Sequence, residues 1–136
     1  MQLELKDFDK DFFETLQDKE EIFMSDKGVY YTIIYDGHKA GVVGYIPVGT
    51  SGDTGFTQTV LAPEFRGKGL SGAAKELMVK KHGLKTLLAT IRKGNIVSIK
   101  ANEKIGFKML SEEKMAELRA KGFLKEGDIR MEKRYK

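Results

Sequence analysis

The chain has 136 residues, 40% of them hydrophobic, which is enough for one folded domain over residues 1–136. It contains no cysteine, which excludes disulfides, thiolate metal sites and a cysteine nucleophile, and its two histidines are too few for a zinc cluster. No apolar run reaches the roughly 18 residues that a membrane span needs. We therefore expect a cytoplasmic protein that binds neither a metal nor a membrane.

Charge is distributed unevenly along the chain. Residues 1–65 hold 5 Lys and Arg against 12 Asp and Glu, whereas residues 66–108 hold 11 against 2. The basic segment would attract a polyanion, either a small phosphorylated molecule or a nucleic acid. Because no recognisable DNA- or RNA-binding motif is present, we expect no nucleic-acid partner, and salt-sensitive binding to random DNA would overturn that expectation.

The first half of the chain predicts a strand, a helix and an antiparallel meander. LEL at 3–5 indicates a short strand, and Phe8, Phe12 and Leu16 then recur at helical spacing with Asp9 as the N-cap. Residues 28–48 predict two strands joined by an Asp-Gly turn at 36–37, a strong hairpin signal. DTGFTQTVLA at 53–62 predicts a third long strand.

The second half alternates helices and strands. A glycine-rich turn leads into an apolar stripe that predicts a helix ending at Gly83, formed by Leu70, Ala73, Ala74, Leu77 and Met78. A strand at 85–91, a helix from Asn95 to Gly106, a strand at 107–110, a helix at 111–122 with a capping-box start and a final strand at 128–135 follow. The order predicts an α+β fold with a mostly antiparallel central sheet, N-terminal helices, and helices crossing over after strands 4 and 5.

The glycine-rich turn PEFRGKGLSG, residues 63–72, predicts an anion site. Glycines at 67 and 69 permit close approach of a ligand, and successive amides leading into a helix N-terminus form a cradle of donors. A pyrophosphate would fit this cradle, with Arg66 and Lys68 at its rim. An ordinary turn without a ligand is the alternative.

Two other phosphate-binding patterns fit this turn less well. A Walker A loop fails because Ala62 stands at its first glycine position and Gly69 follows the lysine. The GxGxxG pattern of dinucleotide-binding folds is present at Gly67, Gly69 and Gly72, with Arg92 about 20 residues further on. That pattern belongs in the first turn of a parallel βαβ sheet, whereas here it follows an antiparallel meander.

Two segments resemble the signature segments of the GCN5-related N-acetyltransferases, the GNAT family. VLAPEFRGKGLSGAAKELM is similar to the family's strand ending near V-x-P-E and its [RQ]xxGx[GA] turn opening a helix. About 30 residues on, NIVSIKANEKIGF is similar to its helix with an early asparagine and a final EKxGF. The resemblance covers roughly residues 29–110. It implies a GNAT-like three-layer fold and acetyl transfer from acetyl-CoA, without a metal, to a primary amine of a small molecule or peptide in a ternary complex.

The resemblance also implies where the cofactor binds. The backbone at the end of the third long strand would pair with the pantetheine arm and supply an oxyanion donor, the glycine turn would hold the pyrophosphate, and Asn95 would contact the pantetheine from the other side. The cofactor-binding residues implied in this way are Val60, Leu61, Ala62, Arg66, Gly67, Lys68, Gly69, Leu70, Ser71, Gly72 and Asn95.

The catalytic positions depart from the family's pattern. Asn102 stands where many members have the tyrosine acid, and an amide cannot give up a proton at neutral pH, so Asn102 would only orient the leaving sulfur. The carboxylate base of many members falls on Gly55. Asp53 is the nearest alternative base, although it also fits an ordinary turn aspartate, and an ordered water chain is the fallback. Ser71, where many members have Gly or Ala, remains compatible with a phosphate.

These departures leave a second function open, a non-catalytic acyl-CoA-binding or sensing module. The acceptor is not specified by the resemblance. Acidic residues crowd on and after the first helix and would suit a cationic amine or a lysine-rich peptide, or would simply form a solvated face. The sequence is compatible with a homodimer.

Overall fold

The computed structural model describes residues 2–136, in which seven strands form one sheet of order β1-β2-β3-β4-β5-β7-β6. The strands are β1 (Leu3–Asp7), β2 (Val29–Tyr35), β3 (His38–Pro47), β4 (Thr54–Leu61), β5 (Thr86–Arg92), β6 (Lys108–Met109) and β7 (Asp128–Arg134). The helices are α1 (Lys10–Thr15), α2 (Leu70–His82), α3 (Ile96–Lys104) and α4 (Glu112–Ala120), with short 3-10 turns at Lys19–Glu21 and Pro63–Phe65. No helix of residues 2–136 is long and apolar enough to cross a bilayer.

The predicted α+β fold is confirmed, and local sequence signals explain most of its elements. Asp36 and Gly37 both have positive φ (49° and 84°), as the two-residue hairpin turn between β2 and β3 requires. Asp9 caps α1 by accepting the Phe12 N–H at 3.0 Å. The helix ends at Thr15, earlier than the apolar spacing predicts, and its buried side chain is Phe13 instead of Phe12.

Two hydrophobic cores cover the two faces of the sheet. On one face α1 and the segment after it pack on β3 and β4, with Phe13, Leu16 and Val60 among the buried residues. On the other face α2 packs against β1, β3 and β4, with Leu70, Ala74 and Met78 fully buried. The predicted stripe is correct at these three positions, whereas Ala73 and Leu77 are only half-buried. The sheet is therefore the middle of three layers.

The sheet splits between β4 and β5. These strands are the parallel pair of the described sheet, and they pair only over Thr54–Phe56 and Thr86–Leu88. Beyond that point β4 continues alongside β3, while β5 continues alongside β7 as far as Arg92. The two halves of the sheet consequently diverge, and the C-terminal half of β4 has an edge without a strand neighbour.

The second signature segment has a structural basis at the end of α3. Gly106 adopts φ 101°, which few side chains tolerate, and the chain reverses there so that Phe107 enters the core with 2% exposure. Ser111 caps α4 by accepting the Lys114 N–H at 3.1 Å. The predicted capping box is only half present, because the third helical residue is a lysine instead of a glutamate.

Candidate active site

A cleft of about 1200 Å³ lies where β4 and β5 diverge. Side chains of successive strand residues point to opposite faces, so β4 contributes Phe56 and Gln58 on one face and Thr57 and Thr59 on the other. Residues of the first turn of α2 and of α3 line the second face. Residues from both faces of the sheet therefore line one cleft.

The backbone of β4 offers hydrogen bonds to the cleft only at alternate residues. Val48 donates to Thr54 O and Ala62 donates to Ala40 O, which directs the backbone groups of the even-numbered residues toward β3. Thr59 and Leu61 therefore direct theirs at the cleft. This corrects the predicted pantetheine contacts at Val60 and Ala62, and Ala62 O is in addition occupied by the Phe65 N–H. Of the three predicted β4 contacts, Leu61 has its N–H directed at the cleft. Thr59 also directs its backbone groups there, which the sequence analysis did not predict.

The glycine turn forms the cradle predicted from the sequence. Gly67 and Gly69 both have φ 77°, and Gly69 is the N-cap of α2. The amides of Leu70, Ser71 and Gly72 occupy the first turn, where no intrahelical acceptor is available to them. A β-carbon added at Gly72 would lie 3.0 Å from Ile105 Cγ2, so this glycine also allows α2 to approach the end of α3. The helix dipole adds a positive potential at this point.

The two cations at the rim differ in how they are held. Arg66 Nε donates to Leu61 O at 3.1 Å, and its Nη2 lies 3.0 Å from Asp18 Oδ2. These bonds fix the guanidinium between the end of β4 and the segment that follows α1. Lys68 is exposed. Arg66 consequently braces the turn as well as contributing charge, a role that the motif alone did not predict.

Lys75 is the most unusual charged residue of the cleft. It lies on α2 one turn after Ser71, is 4% exposed, and donates from Nζ to Thr59 Oγ1 (2.7 Å) and to Ser71 Oγ (2.8 Å). Burial, together with the nearby charge of Lys133, lowers the pKa of Lys75 to about 7. The sequence signal for Lys75 is weak, because it consists only of a lysine next to the apolar stripe of α2, at helical spacing from Ser71.

The α3 side of the cleft carries both asparagines singled out from the sequence. Asn95 is the N-cap of α3 and accepts the Ser98 N–H at 3.2 Å, and it lines the cleft. Asn102 also lines the cleft, and its Nδ2 donates to Ser98 O at 2.9 Å within the same helix. One N–H and the carbonyl oxygen of the Asn102 amide remain for a ligand, as hydrogen-bonding groups and not as acids.

Asp53 does not fit the predicted role of a base. It is not among the residues that line the cleft, and it precedes the short parallel pairing of β4 with β5. Its carboxylate accepts hydrogen bonds from Ser51 Oγ (2.6 Å) and Thr54 Oγ1 (3.0 Å), which lower its pKa. A lowered pKa makes a carboxylate a weaker base, so Asp53 is a turn aspartate that positions the start of β4.

On the face of the sheet that α1 covers, the cleft is acidic and partly apolar. Glu20, Glu21 and Phe23 line it, and Phe23 is 71% exposed. The Gln58 side chain holds this segment against β4 through hydrogen bonds with the backbone N–H and C=O of Phe23. On the same face the Arg130 guanidinium lies 4.6 Å from the centre of the Phe56 ring. The acidic crowding predicted from the sequence thus reaches the cleft at Glu20 and Glu21.

Within residues 2–136 no group of three His, Cys, Asp or Glu side chains could hold a metal ion. The hydrogen-bond donors that the cleft offers to a ligand include backbone amides, hydroxyl groups, two asparagine side-chain amides and cations. Such a donor set suits an anionic ligand with a flexible amide-containing arm, and it matches coenzyme A in each of those features.

Comparison with protein families gives one model match. The model described as the acetyltransferase (GNAT) family matches residues 1–107. Among the sequences of curated proteins no significant match is found.

Solved structures of similar shape include several N-acetyltransferases. The N-acetyltransferase PseH of Campylobacter jejuni, in complex with acetyl coenzyme A, has a TM-score of 0.70 at 12% identity over 99% of this chain and 100% of that chain. A spermidine N-acetyltransferase SpeG chimera from Vibrio cholerae and hSSAT has a TM-score of 0.70 at 17% identity over 98% and 96%. A Salmonella typhimurium acetyltransferase that modifies the N-terminal serine of ribosomal protein L7/L12 has a TM-score of 0.62 at 16% identity over 82% and 66%.

Proposed function

This chain belongs to the GNAT acetyltransferase family and is an acetyl-CoA-dependent N-acetyltransferase, and we propose that acetyl transfer takes place in the cleft between β4 and β5. The observation that carries this proposal is the coincidence of three features at one opening. They are the anion cradle at Gly67–Gly72, the unpaired edge of β4 at Thr59 and Leu61, and a second entrance at Glu20 and Glu21.

Coenzyme A fits the cleft in one direction. Its pyrophosphate lies on the amides of Gly69 to Gly72 at the positive end of α2, with Lys68 at the rim. Its pantetheine arm then runs along β4 and pairs with Leu61, while Asn95 approaches from α3. The acetyl group reaches the point of divergence near Thr59. This arrangement places the thioester where the opposite entrance meets the cleft.

Transfer proceeds by direct attack in a ternary complex. The amine nitrogen attacks the acetyl carbonyl carbon, and the negative charge that develops on the carbonyl oxygen is stabilised by the N–H of Thr59 directed at the cleft. The carbon–sulfur bond then breaks and coenzyme A leaves as a thiolate, which Asn102 orients. The nitrogen of the intermediate loses its excess proton to water as the amide forms, and water passes a proton to the thiolate, so that neutral amide and free thiol result. The thioester is already activated, so orientation and the oxyanion donor supply most of the catalysis.

The acceptor must lose a proton before it attacks. Glu20 and Glu21 are the carboxylates that line the cleft within residues 2–136, and both stand on the acceptor face. Either one can accept the proton through a water molecule. They also make a cationic amine the acceptor class that the site suits best, with the Phe23 ring available to its apolar portion.

The structural neighbours are compatible with this acceptor class without specifying it. One acts on spermidine, a small cationic amine, and another modifies the N-terminal serine of a ribosomal protein. The open, acidic entrance formed by Glu20, Glu21 and Phe23 suits either a polyamine or the N-terminus of a basic peptide.

A screen of amines tests the proposed function. Release of free coenzyme A thiol would be measured with acetyl-CoA and a panel of polyamines, aminoglycosides, amino acids and peptide N-termini. We expect turnover to be concentrated among cationic amines. Tight binding of acetyl-CoA without turnover on any amine would instead support the non-catalytic acyl-CoA-binding module, which the acceptor entrance does not favour.

A further inference from the structure

Lys75 is a buried cation in the cofactor cleft that the proposed chemistry does not use. Its Nζ donates to Thr59 Oγ1 and Ser71 Oγ, which occupy two of the three N–H donors of an ammonium. Among residues 2–136 no Asp or Glu carboxylate lies within 4 Å of its Nζ. A buried ammonium bonded only to neutral hydroxyls is poorly compensated, so its charge needs a partner that arrives from outside.

The elements packed around Lys75 supply no compensating charge. β1 faces α2 with Leu3 and Leu5, and β3 faces it with Ala40 and Val43. Lys133 of β7 adds a like charge, and Glu76 of α2 lies 3.8 Å from that lysine. Other charged residues lining the cleft are Glu20, Glu21, Arg66, Arg92 and Lys104, and Asp18 lines a smaller adjoining pocket together with Thr59 and Ser71. With its pKa lowered to about 7, Lys75 is only partly protonated at neutral pH in the free protein.

We propose that Lys75 anchors the bound cofactor as an ammonium and takes up a proton when acetyl-CoA binds. The inference rests on the proposed function, because it requires the anionic cofactor in this cleft. Ser71 Oγ accepts an N–H of Lys75 and keeps its own O–H to donate to a phosphate oxygen at the start of α2. Thr59, the other partner, lies where the acetyl group is expected. Lys75 therefore connects the phosphate end of the site to the acetyl end.

The direction of the pH dependence follows from this linkage. Negative phosphate charge favours the protonated form of Lys75, so cofactor affinity is highest below pH 7 and falls as the pH rises above it. An upward pKa shift of one unit on binding corresponds to a roughly tenfold change in affinity. Phosphate groups of coenzyme A also change protonation near neutral pH. For this reason the contribution of Lys75 is the difference in acetyl-CoA affinity between the wild type and a Lys75 variant at each pH. The pH profile of the wild type alone does not separate Lys75 from the phosphates.

Isothermal titration calorimetry of the whole chain with acetyl-CoA tests the proposal. Binding heats would be measured at pH 7 in phosphate and in Tris, whose different ionisation enthalpies reveal the number of protons exchanged. We expect Lys75→Met, which keeps the side-chain length, to take up measurably fewer protons on binding than the wild type and to bind several-fold more weakly. Lys68→Met is the matched control, since loss of this exposed rim cation weakens binding without changing the proton count.

The outcomes are distinguishable. Equal proton counts for the wild type and Lys75→Met, with acetyl-CoA bound by both, would overturn the role of Lys75 and leave the proposed function intact. No binding by the wild type would overturn the proposed function and this inference with it. If Lys75→Met does not fold, NMR of wild-type protein with ¹³C-labelled lysine ε-carbons decides. One lysine must titrate near pH 7 in the free protein and at least one unit higher with acetyl-CoA, and an unshifted titration would contradict the proposal.

Discussion

The ring of Tyr45 packs directly on Gly55, so that a β-carbon added at Gly55 would lie 2.5 Å from Tyr45 Cδ2. Gly55 is the position at which the GNAT resemblance places a carboxylate base. Tyr45 is buried, and its ring also packs on His82 with ring centres 5.3 Å apart. Because Tyr45 of β3 packs between Gly55 and His82 of α2, position 55 has no room for a carboxylate side chain unless Tyr45 moves.

Restoring the carboxylate should consequently harm the protein. We expect Gly55→Glu to lose about 1–3 kcal/mol of unfolding free energy through overpacking and to gain no activity. Urea denaturation measures the loss. The double variant Gly55→Glu with Tyr45→Ala should be less destabilised than the sum of the single variants, because the clash is gone. A stable and more active Gly55→Glu enzyme would show that the packing argument is wrong.

The glycine turn provides the most direct substitution test of the cofactor site. Gly69→Trp puts a bulky side chain where a phosphate would approach, and we expect acetyl-CoA affinity to fall by about 100-fold or more. Gly83→Trp is the control, since Gly83 caps the other end of α2 with a similar φ of 63° and open space around it. Both variants strain the backbone to a similar degree. A phosphate site at the glycine turn is therefore supported only if acetyl-CoA affinity falls in Gly69→Trp and not in Gly83→Trp.

The acidic entrance predicts the acceptor preference. The double variant Glu20→Gln with Glu21→Gln removes two negative charges from the acceptor entrance. We expect it to raise KM for a polyamine by about tenfold and to change KM for acetyl-CoA much less. Asp11→Asn with Glu14→Gln removes the same charge from α1, away from the cleft, and should leave both KM values near those of the wild type. Equal effects of the two double variants would mean that net charge, and not the entrance, sets the preference.

Asn102 should matter less than a general acid would. Its amide already donates to Ser98 O and has no titratable proton, so we expect Asn102→Ala to lower kcat by less than about tenfold without moving the pH profile. Steady-state kinetics between pH 6 and pH 9 would check this. A shifted pH limb in Asn102→Ala would indicate that this position takes part in proton transfer after all.

Lys75 predicts an unusual pH dependence of stability in the cofactor-free protein. Its pKa is about 7 in the folded state and near 10.5 in the unfolded chain, so the unfolded state binds more protons between these values. Wild-type stability therefore gains from this group as pH rises from 7 toward 10. We expect Lys75→Met to be more stable than the wild type by a few kcal/mol at pH 6, with the difference shrinking toward pH 10. A difference that does not depend on pH would contradict the lowered pKa.

Much of the fold was readable from the sequence because its signals are local. The Asp36-Gly37 turn, the Asp9 cap and the glycine that ends α2 each specify one backbone conformation, and all three occur as predicted. The glycine turn and its place before a helix were likewise visible. Local geometry of this kind is encoded within a few residues.

The parts of the site that the sequence did not reveal depend on contacts between distant segments. The register of β4 with β3 determines which backbone groups of β4 face the cleft. The hydrogen bond from Ala62 N–H to Ala40 O shows that Thr59, and not Val60 or Ala62, directs its backbone groups at the cleft, and this bond joins segments about 20 residues apart. Lys75 is buried because β4 covers its side of α2, whereas a lysine in a helix ordinarily indicates a solvated face. Asp53 lies near the strand in sequence but outside the cleft in space.

The central claim is that acetyl-CoA binds the native chain in the cleft between β4 and β5, and thermal unfolding tests it most directly. A ligand that binds only the folded state stabilises it by about 2.7 kcal/mol at 100 times its Kd. We predict that millimolar acetyl-CoA raises the Tm of the wild type by several degrees, that NADH and ATP do not match this rise, and that Gly69→Trp abolishes it. An unchanged Tm with acetyl-CoA, or an equal rise with NADH, would contradict the account.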